Sequence, residues 1–236
     1  MKKILLFCFM GLVHSSVFAI GGIGFQFGQG LVTVGATESS RDLIAGEIVV
    51  GTAVMTTTEF SNPLAIGGHI YIDAIPFIDL EADINLIGQR YDFGFNNPTE
   101  IGPYNFLWGS ASSYFTVRKK LLGIGIPLLA KAKLFYGGGY NQHMVSPLMT
   151  IDLMEDLMEE TGGDLSSDPT NISEDDLVEF LDKNKIESSG FHVQAGLQFK
   201  VLMLDTFLFY RHTFAEDLVP EANGFGSLNF RFGFGI

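Results

Sequence analysis

The sequence predicts an all-β fold: an eight-stranded antiparallel up-and-down transmembrane β-barrel, with a long extracellular loop containing an acidic helical hairpin. Three observations predict it. In Phe77–Leu86, Asp79, Glu81, Asp83 and Asn85 alternate one for one with Ile78, Leu80, Ala82, Ile84 and Leu86. Successive strand side chains point to opposite faces. This strand therefore has an apolar face and an anionic face, as a strand between lipid and a polar lumen does. The second observation is an export leader without a later spanning helix. Lys2 and Lys3 precede the apolar run Ile4–Val13, and Val17-Phe18-Ala19 reads as a cleavage site. No later segment offers about 18 consecutive apolar residues. Only helices and closed barrels satisfy the backbone in lipid. The third is an alternation of short and long connections between hairpins, the layout of bacterial outer-membrane barrels.

These observations divide the chain into a cleaved signal peptide, 1–19, and a barrel, 20–236, with insertions at about 31–62 and 141–189. The first strand is placed at about Ile20–Gly30. Three hairpins follow: Leu64–Asp73 with Phe77–Arg90, Trp108–Lys120 with Leu128–Tyr140, and Gly190–Val201 with Thr206–Thr213. A last strand, Gly224–Ile236, completes eight. Long connections fall at about 31–62, 91–107, 141–189 and 214–223. The apolar stretch Leu43–Met55 lies outside the eight, as a β extension, a short helix or a segment folded against the barrel mouth.

Side-chain phase agrees across strands. Ser110, Ser112, Tyr114, Thr116 and Arg118 share one face; His192, Gln194, Gln198 and Lys200 share another. Lys131 and Lys133, and Asn229 and Arg231, alternate with apolar neighbours in the same way. Thr206–Thr213 begins with apolar residues on both faces, so its phase is open.

Hydrophobic residues make up 47% of the chain and charged residues 17%, below the roughly 25% of ordinary soluble domains. Cys8, the single cysteine, lies in the leader. The net charge of −13 is concentrated: 13 acidic residues and two lysines fall between Met149 and Gly190, so that window carries −11. No basic patch exists, which excludes nucleic acid as a partner. Within the window, Ile151, Met154, Leu157 and Met158 recur at helical spacing before Gly162-Gly163. Ser173 with Asp176 resembles a capping box ahead of Leu177, Phe180 and Leu181.

The leader ending Val17-Phe18-Ala19, the glycine-rich strand Gly21–Gly28, the hairpin around Pro76 and the tail Asn229–Ile236 together resemble the small outer-membrane β-barrel family. These are the OmpA/OmpX/OmpW-like eight-stranded, porin-type proteins. The family's assembly signal ends in an aromatic residue; here Phe232 and Phe234 precede a terminal Ile236. The resemblance implies insertion in the outer membrane of a Gram-negative cell. Its partners would be outer-membrane lipid, lipopolysaccharide and the outer-membrane assembly machinery.

Chemistry-bearing residues are candidates for a lumen ion-pair network: Asp73, Asp79, Glu81 and Asp83 against Arg118, Lys131, Lys133, Lys200 and Arg231. An eight-stranded interior is just filled by side chains, and buried charges there must pair. Tyr91, Trp108, Tyr136 and Tyr140 are candidate interface aromatics, since amphipathic rings suit the membrane boundary. No catalytic, cofactor or metal site is expected. His69, His143, His192 and His212 fall in separate elements, and His212 near Glu216 and Asp217 lacks an activated-nucleophile spacing. The acidic loop 149–190 is a candidate for an extracellular ligand or a divalent cation. The expected function is a structural or surface-recognition outer-membrane protein with a largely closed lumen. The alternatives are a channel or transporter for small or hydrophobic molecules, a lipid-modifying membrane enzyme, and a secreted lipocalin-like binder with its apolar faces turned inward.

Overall fold

The structure, a computed structural model, describes residues 21–235 except 74, 76, 98, 127, 128, 169–171 and 221. The segment expected to be a leader, 1–19, lies outside the described residues, as do Ile20 and the terminal Ile236. Among the described residues, twelve strands and two helices follow in order. They are β1 (Gly21–Leu31), β2 (Thr33–Val34), β3 (Thr37–Ala45), β4 (Ile48–Thr57), β5 (Phe60–Ser61), β6 (Leu64–Ile72), β7 (Asp79–Asn96), β8 (Glu100–Ile126) and β9 (Ala130–Val145). Helices α1 (Ile151–Glu160) and α2 (Glu174–Lys183) come next. Strands β10 (Ile186–Val201), β11 (Leu204–Val219) and β12 (Ala222–Gly235) end the chain.

Eight of these strands close a ring. In order they are β1, β6, β7, β8, β9, β10, β11 and β12, each antiparallel to its neighbours, and β12 returns to pair with β1. Closure removes the free edges that an open sheet would expose. Short β2 and β5 continue the β1–β6 pair above the ring.

Charge and polarity set which face turns inward. On β7, Glu81, Asp83 and Asn85 are buried, while Leu80, Ile84 and Leu86 are exposed. The same division holds on β1, where Gln26 is buried between exposed Phe25 and Phe27. An inverted barrel with apolar faces inward is therefore not what the chain forms: its outer wall is aliphatic and aromatic, and its inner wall polar.

The long connections near 91–107 and 214–223 are largely strand. β7 and β8 continue above the ring to Asn96 and Glu100, and β11 and β12 run to Val219 and from Ala222. Above Gly88, β7 exchanges its partner β6 for β4, from Phe93↔Thr57 to Asn96↔Val54. The apolar stretch Leu43–Met55 is mostly this β3–β4 hairpin, turned at Gly46 with φ +69°.

The helical segment folds onto the upper barrel. Ile151, Met154, Leu157 and Met158 form the buried face of α1, and Leu177, Phe180 and Leu181 that of α2. They join one apolar cluster with Phe93, Phe95, Trp108, Met55 and Leu218. Ser173 accepts from the Asp176 amide and the Asp176 carboxylate accepts from the Ser173 backbone, a complete capping box. The Asn97 amide group donates to Leu165 and Ser167 carbonyls at 2.8 and 2.9 Å, tying the β7–β8 tip to the segment between the helices. Arg41 of β3 pairs with Asp152 and Glu155 of α1.

Gly67 and Gly139 leave windows in the inner wall. Gly67 of β6 lies between Gln26 and Asn85 in register, and Gln26 donates to Asn85 Oδ1 across it at 2.6 Å. Gly139 of β9 lies between Thr116 and His192, which hydrogen-bond across it at 2.8 Å. A Cβ at either glycine would meet a carbonyl oxygen of the next strand, Ile84 at 2.0 Å or Phe115 at 1.8 Å.

Candidate functional site

The interior is built around β7. Glu81 and Asp83 are inward neighbours two residues apart, held there by strand periodicity. Arg231 of β12 places Nη1 2.6 Å from Glu81 Oε1 and Nη2 2.6 Å from Asp83 Oδ2. Arg211 of β11 grips both Asp83 oxygens, at 2.8 and 2.7 Å, a bidentate pair. Arg118 of β8 lies 3.1 Å from Glu81 Oε2 and 3.7 Å from Asp79 Oδ2. The Arg118 contact to Glu81 is an ion pair without hydrogen-bond alignment. Three carboxylates thus face three guanidiniums, and Arg118 and Arg231 are both 0% exposed.

Each arginine also lies on aromatic rings, which stabilise a desolvated cation. The Arg118 guanidinium is 5.0 Å from the ring centres of Phe135 and Phe207. Arg211 sits 3.9 Å above Tyr114, and Arg231 4.5 Å above Phe209. Polar neighbours complete the packing: Gln194 donates to Glu81 at 3.1 Å and accepts from Arg211 Nε at 3.0 Å.

A second set of charges lies nearer the end of the barrel opposite the helices. Lys133 is 3.8 Å from Asp73, and Lys200 is 3.3 Å from Asp205. Tyr71 donates to Asp205, and Gln198 does so at 3.0 Å. Lys131 lies beside Lys200 in register on the same inward face. The structure therefore gathers Asp79, Glu81, Asp83, Arg118 and Arg231 into one cluster, and Asp73, Lys131, Lys133 and Lys200 into another below it.

Arg211 and Asp205 belong to these clusters, although sequence pattern does not single them out. On β11 Asp205 is followed on the inward side by Phe207 and Phe209, while Leu204, Leu208 and Tyr210 face outward, so apolarity carries no phase. The charge of Arg211 alternating with His212 is the available signal.

The aromatic expectation needs a correction. Tyr91 and Trp108 are not interface residues: each is 3% exposed and inward-facing, because β7 and β8 rise above the ring and the helical segment covers them. Trp108 packs 5.4 Å from Phe60, and Tyr91 accepts from the Met149 amide at 3.2 Å. Tyr136 and Tyr140 are outward and 47% and 40% exposed. Tyr140 lies in a register row with Phe115, Phe191 and Phe214 on adjoining strands.

The histidines serve separate roles. His143 bonds Ser112 at 2.7 Å and Asn141 at 2.9 Å. His212 faces outward, 4.5 Å from the Phe214 ring, whereas Thr213 faces inward. Among the described residues, no three His, Cys, Asp or Glu side chains are placed to hold a metal ion. In the helical segment, the Ser166 hydroxyl and amide hold the Asp164 carboxyl below its ordinary range.

Fold and interior together define a class: a closed eight-stranded antiparallel barrel, ion-paired within and apolar without. No family model matches the sequence, and no curated protein matches it. Solved structures with similar chains include Ail, the attachment invasion locus protein of Yersinia pestis, in complex with the heparin analogue sucrose octasulfate. It is 10% identical, covers 91% of this chain and 96% of that one, and has a TM-score of 0.38. Neisserial surface protein A is 12% identical, covers 92% and 97%, and has a TM-score of 0.40. The barrel assignment itself rests on the strand pairings.

Proposed function

We propose that this chain is a non-enzymatic outer-membrane β-barrel of a Gram-negative cell. Its work is structural and surface-recognition, and its lumen is held largely closed by ion pairs. One observation carries the reading: exposed aliphatic and aromatic side chains wrap a closed ring whose interior holds fully buried arginines and carboxylates. Water would favour the opposite arrangement, because burying apolar surface drives soluble folding. Lipid favours this one.

The proposed orientation puts the helices and the β3–β4 hairpin outside the cell, with both barrel termini on the periplasmic side. Lipid and lipopolysaccharide surround the wall, and the assembly machinery inserts it. Recognition then falls to the loops. The −11 segment favours cationic partners through its long-range field.

Cell fractionation with heat-modifiable gel mobility tests the reading. The chain is expected in the outer-membrane fraction, with a folded band that shifts on boiling. Recovery as a soluble periplasmic protein without detergent overturns it.

A further inference from the structure

The upper parts of β7 and β8 carry aromatic rings on the face that α1 and α2 cover. Phe93 of β7 and Tyr104 of β8 are register partners and share that face. Phe106, two residues further on, shares it too. The Phe93 ring lies 5.6 Å from Tyr104 and 6.3 Å from Phe106, the latter inclined at 71°. The three rings therefore make a corner rather than a flat stack. With Met154 of α1 and Leu177 of α2 they line a partly enclosed cavity of about 170 Å³.

The electrostatics of this cavity select for positive charge. Aromatic faces carry the negative part of the ring quadrupole and attract cations. Glu174, the first residue of α2, also lines the cavity. It is exposed, and among the described residues its carboxylate has no ion-pair partner. No lysine or arginine among the described residues lines the cavity. The cations of the helical segment are paired elsewhere, Lys183 with Glu160 and Lys185 with Asp182. The positive end of α2 is outweighed by Glu174, Asp175 and Asp176, all in its first turn.

We infer that this cavity takes the trimethylammonium group of a small molecule of the choline class. Phe93, Tyr104 and Phe106 face the cation, Met154 and Leu177 meet its methyl groups, and Glu174 supplies the counter-charge at the opening. Cavities of about 150 Å³ hold a benzene molecule, so the volume here suits a trimethylammonium group and the short carbon chain beside it. A primary ammonium is more strongly hydrated and finds few acceptors among these rings. The inference deepens the surface-recognition reading above and rests on it.

The test uses the full chain in maltoside micelles, with isotope-labelled methionine methyl groups followed by NMR. Choline should shift the Met154 signal, assigned through Met154→Leu. It should bind about tenfold more tightly than its uncharged tert-butyl isostere. Tyr104→Leu keeps apolar bulk and should reduce that preference to about threefold by weakening choline alone. Glu174→Gln should likewise weaken choline and leave the isostere unchanged. Ile172 also lines the cavity, and Ile172→Trp, which fills it, should displace both compounds. Phosphocholine should bind more weakly than choline, because its phosphate meets the first-turn carboxylates of α2; tighter binding of phosphocholine overturns the free cation as the ligand. Heat-modifiable mobility checks that each variant is folded. Equal binding of choline and its isostere, or a choline response that spares Met154, overturns the inference. A heat-modifiable barrel that ignores choline overturns the cavity alone, whereas a chain soluble without detergent overturns the membrane reading.

Discussion

Arg231 on β12 reaches Asp83 on β7 at 2.6 Å, although β6 and β1 stand between their strands in the wall. The contact spans the interior rather than following the sheet. It couples strands far apart around the ring, and it occupies the middle of the lumen.

Removing one member of that cluster should cost more than removing a matched pair. Asp83→Asn takes a charge from both Arg211 and Arg231, a loss of about 3–5 kcal/mol for a broken buried pair. Asp83→Leu combined with Arg211→Met should cost less than the two single changes summed, since apolar replacement of a whole pair is often neutral. Urea unfolding in lipid vesicles measures both. Equal and additive losses would show that the pair is not coupled.

The glycine windows make a second prediction. Gly67→Ala and Gly139→Ala place a methyl against a neighbouring carbonyl and beneath a cross-window hydrogen bond. Each should destabilise the barrel by about 1–3 kcal/mol, as overpacking does. At outward-facing Gly68 an added Cβ would meet only the Gly24 carbonyl, at 3.6 Å, so Gly68→Ala should be close to neutral in the same unfolding assay.

Trp108 is the single tryptophan of the chain and reports on the upper barrel. Inward and covered, it should resist quenching by brominated lipids and by iodide alike. Deleting residues 150–184 removes α1 and α2 and should open it to iodide. Strong quenching by brominated lipid in the intact chain would return Trp108 to the membrane interface.

The helical segment should be separable from the barrel in stability. Ser173→Ala removes the α2 cap, worth about 1 kcal/mol, and should speed amide exchange in the first turn of α2 without moving barrel unfolding. The Asp164 carboxyl, held low by Ser166, contributes stability above the ordinary aspartate range and loses it as pH falls through its lowered value. Ser166→Ala should bring that titration, followed by NMR, back toward the ordinary range.

Strand phase is legible wherever lumen charge marks one face, as on β7 with Asp79, Glu81 and Asp83, and on β12 with Asn229 and Arg231. It is illegible on β11, because Phe207 and Phe209 fill the lumen beneath Arg118 and Arg231 with the same chemistry that coats the outside. Tyr91 and Trp108 mislead for a related reason. Aromatic residues near strand ends suit a membrane boundary and an apolar cap equally, and the choice depends on how far β7 and β8 rise. The pairing of β4 with β7 is a long-range contact without a local signal. Ile151, Met154, Leu157 and Met158 are readable as a helical face because their spacing is local.

The closed lumen is tested most directly by conductance across a planar lipid bilayer. The purified barrel should insert without steady channels, and Asp83→Asn should raise only brief, irregular openings as Arg231 loses one of its two carboxylate partners. Steady, reproducible conductance from the unaltered chain would contradict the account.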